Sequence, residues 1–111
     1  MVGIKQGDII KINLDPKRGH EQAGYRPVIV ISSNFFNKIS KDIAIVCPIT
    51  NTNKAYPLHV PLDARTKTTG TILCDHIQSI DVVARGFRKV EKVPDDILET
   101  VINTVSTIIE K

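Results

Sequence analysis

The alternation of apolar and polar residues along the chain predicts short β-strands followed by one helix. Apolar runs of strand length, rich in β-branched residues, recur as far as residue 93 and are separated by polar loops that contain glycine or proline. After that point the period changes, because apolar residues recur every three or four positions and would form one stripe of a helix. These residues are Ile97, Leu98, Val101, Ile102, Val105, Ile108 and Ile109.

The pattern predicts six or seven strands, at about residues 8–14, 27–33, 42–49, 58–62, 71–75, 76–81 and 87–93. Asn34 is suited to cap a short helical turn after the second strand, and residues 84–86 are typical of a turn. Pro94 suits the first turn of the closing helix, where Asp95 and Asp96 complement the positive end of the helix dipole. This order favours a mainly β fold, a small and strongly bent antiparallel sheet or barrel with the helix covering one open side.

Length and composition favour one soluble domain over residues 1–111. The chain is long enough for a real core and too short for two domains, and its net charge of +3 is compatible with a nucleic-acid partner without requiring one. We expect neither a signal peptide nor a membrane span, because no apolar run has the required position or length. Cys47 and Cys74 lie in apolar stretches, which indicates buried thiols in a reducing cytoplasm rather than a disulfide.

The stretch from residue 19 to residue 27, GHEQAGYRP, is the first candidate for chemistry. Its two glycines permit turns that other residues resist, and Pro27 biases Arg26 toward an extended conformation. The apolar run that follows predicts a buried strand, so Arg26 would stand at the start of a rigid element beneath a polar loop. Such a position suits a guanidinium that grips a phosphate.

Thr50 is the second candidate, because it ends the third predicted strand. Antiparallel pairing of the second and third strands would bring Arg26 close to Thr50, and a guanidinium beside a hydroxyl is a plausible phosphodiester site. The alternative is a solvated surface arginine and an ordinary turn threonine. The chain has no glycine-rich phosphate loop, no Cys-x-x-Cys pair and no His-x-x-x-His spacing, so we expect no metal and no cofactor.

Several blocks of sequence resemble the MazF/PemK (Kid) family of toxin endoribonucleases. They are GDI at residues 7–9, GHEQAGYRPV at 19–28, VCPIT at 46–50, KAYP at 54–57, DHIQSID at 75–81 and RG at 85–86. The blocks occur in the family's order and spacing and cover nearly the whole chain. The Glu-Gln-x-Gly-x-Arg-Pro element is the most specific of them.

The resemblance implies an SH3-like β-barrel that assembles as a homodimer with single-stranded RNA across the dimer interface. It further implies a sequence-specific, ribosome-independent endoribonuclease from a type II toxin–antitoxin pair, an inhibitor of translation and growth that an acidic MazE-like antitoxin neutralises. Such enzymes use the 2′-hydroxyl of the RNA as nucleophile and leave a 2′,3′-cyclic phosphate and a 5′-hydroxyl. This chemistry needs neither a metal nor a protein nucleophile.

The resemblance also assigns roles to residues. The catalytic arginine falls on Arg26 and the catalytic threonine on Thr50. Independently of the resemblance, we expect Glu21 to hold Arg26 in place by pairing with it. An arginine side chain is a poor base near neutrality, so Glu21 and His76 are the candidate proton partners. Contacts to RNA are expected from Lys17, Arg18, His20, Gln22, Tyr25, Asn51, Lys54, Asp75, His76, Gln78 and Ser79.

Two alternative functions belong to other classes. A CcdB-like toxin has the same type of barrel and dimer but poisons DNA gyrase by binding it, without an Arg26/Thr50 pair. A small RNA-binding barrel without activity would explain the basic charge but not the Glu-Gln-x-Gly-x-Arg-Pro element.

Overall fold

The computed structural model describes residues 3–15, 19, 24–52 and 56–111. Within these residues the strands are β1 (Asp8–Asn13), β2 (Tyr25–Val30), β3 (Ile43–Thr50), β4 (His59–Pro61), β5 (Thr71–Leu73), β6 (Gln78–Asp81) and β7 (Phe87–Lys92). The α-helices are α1 (Asn34–Ser40), α2 (Val82–Arg85) and α3 (Asp95–Ile109), and one turn of 3-10 helix, Cys74–His76, joins β5 to β6.

The seven described strands form one antiparallel sheet organised around β3. Its main path runs β4-β5-β3-β2-β1-β7. One edge of β3 pairs with β2, whereas the other edge pairs with β6 at residues 43–46 and with β5 at residues 49–50. Because β6 and β5 pair with successive parts of the same edge of β3, the sheet bends sharply at this strand. The predicted mainly β, barrel-like fold is confirmed.

Both faces of the central strands are covered by apolar side chains. Ile9 and Ile29 point to one face, where they pack beneath the apolar stripe of α3, and Ile10 and Val28 point to the other face, which α2 helps to close. Burial on both faces explains why the central strands read as nearly continuous apolar runs. The side chains that α3 buries here are Ile97, Val101 and Val105, and Leu98 and Ile102 pack against them partly buried.

The short helices differ from the sequence prediction because side-chain caps determine them. The cap of α1 is Ser33 and not Asn34, since the Ser33 hydroxyl accepts a hydrogen bond from the Phe36 amide at 3.0 Å. Residues 84–86 do not form a simple turn. The chain forms α2 just before Gly86, and Asp81 caps this helix by accepting from the Ala84 amide at 2.8 Å.

The two cysteines are buried free thiols, as expected. Burial, together with the neighbouring Cys74 and Asp75, raises the pKa of the Cys47 thiol far above its ordinary value. Burial and Asp75 raise the pKa of Cys74 to about 11. Separately, no helix in the described ranges is long and apolar enough to span a membrane.

Ile29 tests the placement of the core beneath α3. Its side chain is fully buried, so we expect Ile29→Ala to lower the free energy of unfolding by about 2–5 kcal/mol through lost burial and a residual cavity. The same substitution at Ile109, which is 71% exposed, should change it by less than about 0.5 kcal/mol. Urea denaturation measures both variants, and equal losses would contradict this core.

Candidate active site

Arg26 and Thr50 lie at the same end of two paired strands. The β2–β3 ladder runs as far as Val28 opposite Pro48, and it stops before Pro27, which has no N–H to donate. Continued by two residues, the same register sets Arg26 opposite Thr50, and opposed residues have Cβ atoms about 4.5–5.5 Å apart in an antiparallel pair. Both residues are half-buried. The sheet therefore directs a guanidinium and a hydroxyl toward one face, which we call the catalytic face.

Gly70 packs against the backbone at the end of β3. Its φ is +120°, and a Cβ at this position would lie 2.5 Å from the carbonyl oxygen of Thr50. Only glycine lets the loop of residues 63–70 approach this carbonyl so closely. Thr71 then pairs with Thr50 in the sheet, and the Thr50 hydroxyl accepts a hydrogen bond from the Thr52 amide at 3.2 Å. Sequence analysis did not single out Gly70, and the only signal for it was a glycine directly before a strand.

The ends of the loop before Arg26 are tied together. The Asp15 carboxylate accepts from the Gly24 amide at 2.8 Å, and the Leu14 amide donates to the Gly24 carbonyl at 2.9 Å. Arg85, on α2, donates to the carbonyls of Asn13 and Asp15 at 2.8 and 2.9 Å. These hydrogen bonds fix the two points at which the loop leaves and rejoins the sheet. The predicted site residues Lys17, Arg18, His20, Glu21, Gln22 and Lys54 lie outside the described residues.

Asp75 brings together two histidines that are far apart in sequence. Its Oδ1 lies 3.1 Å from Nε2 of His59, and its Oδ2 lies 4.0 Å from Nε2 of His76. The Tyr56 ring packs against the His59 ring with centroids 4.8 Å apart. Sequence analysis missed His59, because its position follows from the pairing of His59 with Leu73 between β4 and β5. The described residues contain no group of His, Cys, Asp and Glu side chains arranged to hold a metal ion.

The other predicted RNA contacts divide between the two faces of the sheet. Gln78 pairs with Val46, and the neighbouring Ile80 packs in the same cluster as Val28, so Gln78 belongs to the catalytic face. Ser79 is exposed and points to the opposite face, so the structure does not join it to Arg26 and Thr50. Tyr25 and Asn51 are exposed and each adjoins one of the catalytic candidates.

The loop of residues 63–70 is anchored at two points along its length. The Glu91 carboxylate accepts hydrogen bonds from the Lys67 amide at 3.0 Å and from the amide and hydroxyl of Thr68, each at 2.8 Å. Arg65 contacts Asp63 at 2.8 Å and Asp96, at the start of α3, at 2.9 Å. Hydrogen bonds from Arg65 hold the pKa values of both aspartates below their usual range. These contacts keep Gly70 against Thr50.

Comparison with known proteins identifies the family. Residues 5–109 match the family described as PemK-like, MazF-like toxin of type II toxin-antitoxin system. The chain is 36% identical over 110 residues to Endoribonuclease PemK of Escherichia coli, covering 96% of this chain and 82% of that protein. It is 33% identical over 103 residues to Endoribonuclease toxin MazF of Escherichia coli strain K12, covering 93% of this chain and 91% of that protein.

Solved structures agree with this family. MazF from Deinococcus radiodurans superposes with a TM-score of 0.89 at 30% identity, covering 97% of each chain. A chain of the MazE-MazF structure from the same organism gives 0.82 at 31% identity, covering 96% of this chain and 95% of that one. The chain belongs to the PemK/MazF family of type II toxins, which confirms the prediction. The CcdB-like alternative is not favoured.

Glu91 makes the anchoring of the 63–70 loop sensitive to acid. Partial burial opposes its ionisation, but the hydrogen bonds from Thr68 and Lys67 outweigh burial and lower its pKa. A carboxyl whose pKa is lowered by folding stabilises the fold above its unfolded pKa, and the contribution is lost as pH falls through the folded pKa. We expect the exchange protection of the Lys67 and Thr68 amides to fall over that acidic range.

Native-state hydrogen exchange at a series of pH values measures this protection. Glu91→Gln should remove most of the pH dependence, whereas Glu99→Gln, on the exposed side of α3, should leave it as in the original chain. Protection that follows the same pH profile in all three proteins would contradict the role of Glu91.

Proposed function

We propose that this chain is a sequence-specific endoribonuclease that cleaves single-stranded RNA without a metal ion and without the ribosome. The observation that carries the proposal is the register of β2 and β3, which sets Arg26 opposite Thr50 when it is continued two residues beyond Val28 and Pro48. A guanidinium and a hydroxyl that converge from two rigid strands form a cradle for one phosphodiester. The names of the relatives, endoribonuclease in PemK and MazF alike, support the same reaction class.

The proposed reaction is an internal transesterification of the RNA. The 2′-oxygen attacks the adjacent phosphorus while its proton passes to a base, and the bond from phosphorus to the 5′-oxygen breaks as that oxygen gains a proton. The products are a 2′,3′-cyclic phosphate and a 5′-hydroxyl. Because the nucleophile belongs to the substrate, the protein has to orient the attack and stabilise the charge that develops on the phosphate. This chemistry also selects RNA over DNA.

Arg26 is assigned as the electrostatic clamp of this reaction. Its guanidinium donates a forked pair of hydrogen bonds to the non-bridging oxygens, and the Thr50 hydroxyl donates one more. A guanidinium stays protonated near neutrality, so the base is a different group. Glu21 and His76 are the candidates for proton transfer, and Glu21 is also the candidate for orienting Arg26.

We assign recognition of the cleavage sequence to the side chains around Arg26 and Thr50. Gln78 lies on the catalytic face, and Asp75 and His76 lie where the 3-10 turn packs against β3. The contact with His59 holds the Asp75 carboxylate in place, and we assign this carboxylate to a base or a ribose of the RNA. Tyr25 is 61% exposed beside Arg26, which suits stacking on an unpaired base.

The proposed partners are a second copy of the chain and an acidic, MazE-like antitoxin. The MazE-MazF structures of Deinococcus radiodurans support the antitoxin, and the net charge of +3 favours an acidic partner. Phe35 and Ile39 expose 74% and 62% of their area on α1, which leaves apolar surface for a subunit contact. Freed of its antitoxin, the toxin would cut messenger RNA in the cytoplasm and so stop translation and growth.

Cleavage in EDTA tests the reaction and its residues together. A long mixed-sequence RNA should be cut at discrete sites and yield cyclic-phosphate and 5′-hydroxyl ends. Arg26→Ala and Thr50→Ala should each lower the rate roughly a hundredfold, about 3 kcal/mol of barrier, if each removes one donor to the charged phosphate. Mapping of the ends and single-turnover rates measure both effects.

Matched controls separate these variants from general damage. Lys111→Ala and Thr107→Ala remove the same kinds of group from exposed positions and should cut at the original rate. A 2′-deoxy substitution at the scissile nucleotide should abolish cleavage. Cutting that requires a divalent metal, or that survives the deoxy substitution, would overturn the proposed chemistry.

The homodimer is tested by mass. Light scattering at micromolar concentration should give twice the mass of one chain, because the apolar surface on α1 disfavours a free subunit. Phe35→Ser combined with Ile39→Ser should shift the protein toward the single-chain mass, whereas Ser106→Ala on exposed α3 should not. A single-chain mass for the original protein would contradict the dimer.

A further inference from the structure

A basic groove lies on the face of the sheet opposite the catalytic face. It is an open depression of about 330 Å³ between β1, β2, β7 and the 63–70 loop. Lys11, Lys67 and Arg88 supply three positive charges to its lining, and Pro27 and Val90 are its two apolar residues. Asn51, Thr68 and Thr69 complete its lining. Its chemistry is therefore that of an anion site with neutral hydrogen-bonding groups.

Two of the three cations in the groove lie on neighbouring strands, directly opposite each other. Lys11 and Arg88 are direct partners in the β1–β7 register, and like charges in opposed positions of a sheet repel. In the part of the chain that the structure describes, neither side chain forms an ion pair or a hydrogen bond. The arrangement costs stability in the isolated chain, and an anion between the two cations would remove that cost.

The carboxylate of Glu91 does not supply a counter-charge to Lys11 and Arg88. Glu91 is the partner of the Lys67 and Thr68 amides and of the Thr68 hydroxyl, so its oxygens are engaged in anchoring the loop. Its charge also faces Lys67. Lys67 is therefore partly neutralised, and of the three cations in the groove Lys11 and Arg88 have no counter-charge among the described residues.

The groove adjoins the catalytic residues, because two residues of its lining directly follow Arg26 and Thr50 in the sequence. Pro27 follows Arg26 and Asn51 follows Thr50, and each of these pairs places one residue on either side of the sheet. The Thr69 hydroxyl donates to the Asn51 side chain at 3.0 Å, which joins the groove wall to the end of β3. An extended polyanion held at Arg26 and Thr50 thus reaches the groove by passing over the ends of β2 and β3.

We propose that the groove binds backbone phosphates of the RNA strand on one side of the scissile phosphate. The proposal rests on the ribonuclease function above and extends it to a second binding region. Lys11 and Arg88 bind by charge and are exposed or half-buried at an open surface, so the contact reads no base and adds affinity for any sequence. It sets the length of RNA that the enzyme grips beyond its recognition sequence.

The test compares binding of uncleavable RNA by two double variants. Lys11→Gln with Arg88→Gln removes two charges from the groove, and Lys92→Gln with Lys111→Gln removes two exposed charges elsewhere. Fluorescence anisotropy with a 2′-O-methyl oligonucleotide over a range of salt concentrations gives the dissociation constants. We expect the groove variant to bind roughly tenfold more weakly at low salt for every base sequence. Its log–log salt slope should be shallower by about 1.4, since each single-strand phosphate contributes about 0.7.

Shortening the RNA provides the decisive comparison. Removing nucleotides from one flank should weaken binding by the original protein and the control variant, but not by the groove variant, because the same contact is already lost. Thermal unfolding of the groove variant should be unchanged or slightly higher, since a like-charge pair is removed. This readout distinguishes loss of binding from loss of fold.

Each outcome has one meaning. Equal salt slopes and equal flank effects in the two double variants would overturn the groove while leaving the ribonuclease intact. Weakened binding of an acidic antitoxin peptide with unchanged RNA binding would assign the groove to a protein partner and would also overturn it. An original protein that neither binds nor cuts RNA would overturn the proposed function itself.

Discussion

The antiparallel pairing of β2 with β3 is the constraint on which the rest of this structure depends. It buries the centres of both strands, so a shift by one residue would exchange the two apolar faces and is strongly disfavoured. The same register determines what stands at the open end of the pair. Val28 lies opposite Pro48, and the same register continued by two residues sets Arg26 opposite Thr50. Core packing and the geometry of the candidate site are consequences of one pairing.

Around this rigid end the chain uses polar contacts to fix loops rather than to build a core. Asp15 and Arg85 tie the base of the loop before Arg26, and Glu91 and Arg65 tie the loop behind Thr50. These contacts fix the segments that adjoin the candidate site on either side.

Much of the fold was accessible from the sequence, because strands in this protein alternate or run apolar according to how many of their faces are buried. The pairing of Arg26 with Thr50 follows from two neighbouring strands, so it too could be anticipated, and its catalytic role stays a prediction. What could not be anticipated depends on distant register or on local caps. His59 meets Asp75 through β4 and β5, Lys11 meets Arg88 through β1 and β7, and α2 depends on one aspartate cap. None of these leaves a periodic signal.

Alkylation of the two buried thiols can measure how often the folded chain opens. Cys47 and Cys74 lie beneath α3 within the larger apolar cluster, and burial keeps them in the unreactive protonated form. An alkylating reagent therefore modifies only molecules in which the helix has separated from the sheet. The fraction modified over time reports how often the toxin exposes its interior, and binding of an antitoxin to the folded form would slow that labelling without touching either cysteine.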